Sequence, residues 1–99
     1  MRTSNRPILS DIEFVGPKTL TELDDKIHKD APLHVERIKG SIDQFGTLVP
    51  IIVDDQNRII DGVGRNRAAI RAGEPLVPIR RLKNATPALI KAIRISLNK

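Results

Sequence analysis

The sequence predicts an α+β domain, a small mixed β-sheet with flanking helices, on three observations. Short β-branched runs at 48–53, 58–61 and 76–81 alternate with stretches whose apolar residues recur at helical spacing. Only the turn cluster Asp54-Asp55-Gln56-Asn57 separates the first two runs, which reads as a hairpin. Between the second and third runs stands Gly62-Val63-Gly64, followed by an arginine-rich stretch that stops at Gly73.

Taken in order, residues 1–9 read as a flexible lead-in. Asp11 to Val15 alternates polar and apolar residues, as a half-buried strand does, and Gly16-Pro17 ends it. Thr19-Leu20-Thr21-Glu22 matches a capping box, with Leu20, Leu23 and Ile27 at helical spacing, so a helix is expected to about His28. Asp30-Ala31-Pro32 supplies an N-cap acid and a first-turn proline for the next helix. Val35, Ile38, Ile42 and Phe45 form its apolar stripe, and Gly46 is its expected stop. The run from Leu48 to Val53 is a continuous apolar strand, and Arg58 to Asp61 is the return strand. Arg65 to Ala72 reads as a short helix. Leu76 to Arg81 is a third core strand, in which Pro78 suggests a sheet edge. Thr86-Pro87 caps a final helix that turns Leu89, Ile90, Ile93 and Leu97 inward and Lys91 and Arg94 outward. That helix meets no stop signal. Residues 1–99 are therefore expected to be a single domain, the N-terminal part of a longer protein.

The 99 residues suffice for one compact core, although the apolar share of 39% is low and comes mostly from Ile, Leu and Val. The absence of cysteine excludes disulfides, thiolate metal sites and thiol catalysis. No apolar run approaches the ~20 residues of a membrane span, and the start lacks a secretory apolar core. A soluble, cytoplasmic protein is expected. The net charge of +5 is unevenly placed: residues 1–57 carry −3 and residues 58–99 carry +8. Such asymmetry suggests a polyanionic partner, whether nucleotide, nucleic acid or an acidic protein surface. Phe14 and Phe45 are the only aromatics, too few for a base-stacking platform.

The glycine turn lies in the basic half. Gly62 and Gly64 let the backbone turn sharply and approach a ligand, and the following helix aims unpaired N–H groups and a partial positive charge at that turn. Helix starts of this kind hold anions. Arg67 and Arg71, four apart on one helix face, are tolerated easily if an anion or an acidic partner lies between them. Solvated surface arginines after an ordinary turn are the alternative. Arg67 replaces the third glycine of a dinucleotide motif, and no Gly-Lys-Ser/Thr follows, so neither Rossmann nor Walker phosphate loops apply.

In this order, the helix ending Ser41-Ile42-Asp43-Gln44-Phe45-Gly46, the strand Pro50-Ile51-Ile52-Val53, the stretch Ile59-Ile60-Asp61-Gly62-x-Gly64-Arg65-x-Arg67-Ala68-Ala69, Gly73 and Val77-Pro78 resemble the ParB/sulfiredoxin superfamily over residues 30–99. The chain is most similar to ParB-like (so-called ParB-like nuclease) domains found alone or at the front of larger proteins such as DNA methyltransferases. The resemblance implies a ParB/sulfiredoxin-like fold. It also implies nucleotide phosphates at the strand–helix junction, where partition ParB proteins bind CTP and sulfiredoxin binds ATP. Gly62, Arg65, Arg67 and Ala68 match the Gly-Glu-Arg-Arg-x-Arg-Ala box of the family. Val63 replaces its glutamate, or the catalytic cysteine of sulfiredoxins, and Gly64 replaces an arginine or histidine. Without a thiol, sulfinic-acid repair is excluded. Asn98 matches an asparagine near the phosphates and metal of partition proteins, but Leu97 matches the acid before it, which argues against metal-assisted CTP hydrolysis. No Gln-Pro-Arg signal stands in the loop near Lys29 and Asp30.

The function expected is a ParB-like module that binds a nucleoside triphosphate, CTP or ATP with Mg²⁺, in DNA partition or DNA modification. Its phosphate site comprises Gly62, Gly64, Arg65, Asn66, Arg67 and Ala68, with Asp61, Asn98 and Arg94 as auxiliaries. Arg71, Arg80, Arg81 and Lys83 are candidates for contact with DNA, the second expected partner. A fused or separate DNA-modifying domain and a dimer fit the same picture. The alternative is a DNA-backbone-binding domain, or a weak nuclease, without nucleotide control. Nuclease or nucleotidase chemistry follows from the resemblance alone, since Asp54, Asp55 and Asp61 assemble only loosely into an acid cluster. No metal site is expected of the chain itself, and His28 and His34 read as surface residues. Val63, Gly64 and Leu97 keep a fourth option open, a protein-interaction module whose nucleotide site has decayed.

Overall fold

The computed structural model describes residues 7–23, 32–47 and 49–97. In chain order the elements are β1 (Ile8–Leu9), β2 (Glu13–Val15), a 3-10 turn (Pro17–Thr19), β3 (Thr21–Glu22), α1 (Pro32–Phe45), β4 (Ile51–Val53), β5 (Arg58–Asp61), α2 (Val63–Ala72), β6 (Val77–Lys83) and α3 (Pro87–Leu97). The strands form one mixed sheet in the order β1-β6-β4-β5-β3, with β2 also on β6. β4 pairs antiparallel with β5 through the expected hairpin and parallel with β6. The fold class read from the sequence is the one observed.

Consecutive apolar residues in the central strands serve both faces of the sheet, because side chains alternate across a strand. Ile51, Val53, Ile59, Val77 and Ile79 face a core closed by α1 and α2 through Val35, Ile42, Val63, Ala68 and Ala69. Ile60 and Leu82 face the other way and meet Ile90 of α3, with Ile52 and Ile93 beside them. Helices thus cover both faces. The hairpin is tied at its tip by Asp54, whose Oδ1 accepts from the Gln56 and Arg58 amides while its Oδ2 accepts from Arg58 Nε at 2.6 Å. Gly73 ends α2 in the left-handed region, and its amide donates to Ile70 while that of Glu74 donates to Ala69, a Schellman closure.

Several expectations are corrected. The capping-box reading at Thr19 fails: Thr19 closes the 3-10 turn through its hydroxyl on the Gly16 carbonyl, and Thr21–Glu22 pairs in parallel with β5 instead of entering a helix. The backbone partner offered by β5 outweighs the local signal; the remainder of that helix, to His28, lies outside the described residues. Ile8–Leu9 is a strand on β6, not lead-in. The alternation at 11–15 is real but inverted, with Ile12 and Phe14 facing solvent. Phe45, at the end of its stripe, is 61% exposed because the stripe has already passed the core. Pro78 sits in β6, a central strand, one residue before the stretch flanked on both sides; its missing donor is tolerated at the end of the β4 ladder. α2 begins at Val63, two residues before the expected start, and β4 begins at Ile51. In α3, Leu97 is exposed and Arg94, expected outward, is only 2% exposed. The apolar residues of that helix do not form one buried stripe; its buried seam runs through Ile90 and Arg94, four apart.

Candidate phosphate-binding site

The glycine turn lies where β5 ends and β4 begins. Gly62 has φ +113°, a conformation that only glycine adopts without strain, and it caps α2 with no side chain to occupy the helix amides. The first intrahelical bond runs from the Asn66 amide to the Gly62 carbonyl. Among the described residues no oxygen accepts from the amides of Val63, Gly64 or Arg65, and no acid stands in the first turn. Space at the turn is tight. A Cβ on Gly62 would lie 2.9 Å from Arg65 Nη2 and 3.2 Å from both γ carbons of Ile51. The Arg65 guanidinium therefore folds back over the turn.

Arg65 is loosely held there. Its Nη2 donates to the Pro50 carbonyl at 3.2 Å and to Asp61 Oδ2 at 3.3 Å, both long for charge-assisted bonds. Its Nε is buried and meets no acceptor. Arg67 is held quite differently: its Nε and Nη2 grip both oxygens of Glu22 at 2.8 and 2.7 Å. Arg71 donates to Glu36 of α1 at 2.7 Å. The acidic partners expected beside Arg67 and Arg71 are thus the chain's own carboxylates. Arg65 and Arg67, two apart on a helix, do not share a face, and the structure gives each a separate acid. Asn66 is buried; its Nδ2 donates to the Pro17 carbonyl at 3.0 Å, tying α2 to the 3-10 turn, and its Oδ1 meets no donor. Ala68 is fully buried against the first core.

The other candidates scatter. Arg81 donates to Glu13, the Asp54 carbonyl and Asn57 Oδ1, so it ties the hairpin tip to β2. Arg80 donates through Nε to the Ser10 carbonyl, and Lys83 is exposed at the end of β6. Arg94 borders a cavity of about 150 Å³ with Leu23, Asp54, Arg58, Pro87, Ile90 and Lys91, at the end of β5 opposite the glycine turn. Burial pushes the Asp54 carboxyl up, but backbone bonds from Arg58 and Gln56 and the Arg58 guanidinium outweigh it and hold the group below its usual value. The described residues hold no cluster of three metal-ligating side chains. His28, the His34 side chain and Asn98 lie outside the described residues. No helix among them is long and apolar enough to cross a membrane. Sequence reasoning missed Glu22 and Pro50 as neighbours of the arginines; neither carries a local signal of that role.

No protein-family model and no curated protein sequence matches the chain. Solved structures do. The C-terminally truncated chromosome-partitioning protein ParB from Caulobacter crescentus, complexed with CTP-γ-S, superposes with a TM-score of 0.80 at 27% identity over 90% of this chain. A Pnob8-like ParB-N domain superposes with a TM-score of 0.75 at 19% identity over 94% of this chain, a likeness of fold alone. The chain spans 53% and 37% of those two proteins. In architecture it is a ParB-like domain, an α+β unit of the kind found at the N-terminus of ParB. One protein of this architecture was solved with a CTP analogue bound.

Proposed function

We propose that the chain is a ParB-like nucleotide-binding module in which the turn at Gly62 holds the phosphates of a nucleoside triphosphate. The observation that carries the reading is the under-satisfied Arg65: a partly buried guanidinium with one orphan N–H and two long bonds, beside helix amides that no described residue accepts from. Leaving such donors without good acceptors costs free energy that an anion recovers. The phosphate chemistry fits the residues present. Gly62 offers no side chain to cap the helix start, the α2 amides and Arg65 supply donors, and Asn66 braces the helix start against the 3-10 turn, while Gly64 is buried within α2. A bound triphosphate supplies the negative charge that these donors lack. Because the Caulobacter ParB was solved with CTP-γ-S, CTP is the first nucleotide to test here. Arg67 is assigned a bracing role, since Glu22 already occupies its fork.

Calorimetric titration of CTP and ATP with Mg²⁺ tests the reading. Arg65→Gln is expected to weaken binding by about tenfold or more, the worth of one charge-assisted pair, while Arg67→Gln changes it by less than about threefold. Absence of binding to the wild-type chain by either nucleotide refutes it. Direct DNA binding is the weaker reading, because Arg71 and Arg81 are committed to the protein's own acids and Arg80 to a backbone carbonyl. A partition- or modification-associated role for the whole protein remains part of the proposal.

A further inference from the structure

We infer that Asp61 is the resident anion of this site and sets both its affinity and its need for a divalent cation. The inference rests on the reading of the turn as a phosphate site and adds to it the carboxylate that competes there. Residues 58–99 contain only two acids, Asp61 and Glu74, and one of them closes β5 directly before Gly62. Its side chain and that of Arg65 are comparably accessible, at 34% and 26%. The contact of Asp61 Oδ2 with Arg65 Nη2 is the only hydrogen bond of the Asp61 carboxylate among the described residues. The pair is loose beside the 2.6–2.7 Å ion pairs of Arg58, Arg67 and Arg71. Asp61 therefore half-neutralises Arg65 without saturating it, as a stand-in anion does.

A phosphate that takes Arg65 through shorter bonds leaves Asp61 beside it, and the two like charges repel in a partly desolvated turn. A divalent cation shared by one carboxylate and phosphate oxygens turns that repulsion into attraction, the usual way magnesium is held beside phosphates. Asp61 is thus an affinity-setting residue whose sign depends on the cation. A mere prop for Arg65 has no such dependence.

The test is titration of inorganic triphosphate, a base-free probe, and of CTP into the full chain, in Mg²⁺ and in EDTA. Asp61→Asn keeps the shape and a hydrogen-bond acceptor for Arg65 but removes the charge. In EDTA it is expected to bind about tenfold more tightly than wild type, the worth of one screened unit charge at a partly exposed site, and its gain from Mg²⁺ is expected to shrink accordingly. Equal or weaker binding by Asp61→Asn in both media makes Asp61 a support for Arg65 only and overturns the inference while leaving the phosphate site standing. Wild-type binding that is indifferent to EDTA overturns it independently of any variant. Failure of wild type and Asp61→Asn alike to bind triphosphate in either medium removes the phosphate site itself, and the role of Asp61 with it.

Discussion

Replacing Gly62 by alanine tests whether the turn is built as tightly as the structure implies. Two costs add. At φ +113° a side chain is strained, by about 1–2 kcal/mol for left-handed backbone. The new Cβ also meets Ile51 at 3.2 Å on two sides, and Ile51 is fully buried in the first core, so it has little room to move. The 2.9 Å approach to Arg65 Nη2 is relieved more cheaply, by swinging the guanidinium off the Pro50 carbonyl. The sum is about 2–3 kcal/mol, overpacking included, against the ~5–15 kcal/mol that holds a small domain together. Thermal unfolding should show a fall of roughly 10–20 °C, and urea titration a matching loss of midpoint. Gly73→Ala is the internal reference. Gly73 has φ +74° and nothing within 4 Å of its would-be Cβ, so it bears the backbone cost alone. Equal losses in the two variants would refute the claim that close packing, beyond backbone conformation, constrains the turn.

Gly40→Ala, on the exposed face of α1 with open space around it, is expected to stabilise by about 0.5–1 kcal/mol in denaturant titration. Arg94→Ala removes a buried side chain from the α3 seam and should cost about 2–4 kcal/mol by the same measurement. Glu22→Gln breaks an exposed bidentate pair and should cost no more than about 1 kcal/mol. Asp54 sets an acid limb. Its folded pKa is lowered, so its stabilisation is present above the usual carboxylate value of 3.8 and is lost as pH falls through the lower folded value. Asp54→Asn should be less stable at neutral pH and should lose less than wild type on acidification, as followed by urea midpoints across that range.

Much of the architecture was legible because its signals are local. The hairpin announces itself in Asp54 to Asn57 between two apolar runs, Gly46 and Gly73 mark helix ends, and the β-branched pair at 59 and 60 favours a strand, which the fold buries on both faces. Errors arose where a local pattern met a distant partner. Thr19-x-x-Glu22 has the form of a helix start, yet β5 claims Thr21–Glu22 as a strand. Pro78 has the form of an edge residue, yet β2 and β4 flank its strand. Arg94 has the polarity of a surface residue, yet it fills a seam between α3 and the sheet.

The charge distribution shows the same division most sharply. From composition alone the second half is a cationic surface in search of an anion. In the folded chain Glu13, Glu22 and Glu36 return to Arg81, Arg67 and Arg71 across 68, 45 and 35 residues. The sequence by itself determined the class of fold, the glycine turn and the supply of guanidinium groups beside it, because periodicity and backbone freedom act over a few residues. Tertiary structure alone decided which of those cations the chain's own acids pair with, and that the Nε of Arg65, at the turn, is buried without an acceptor among the described residues. Electrostatic pairing depends on distance through space, and no spacing along the chain encodes it.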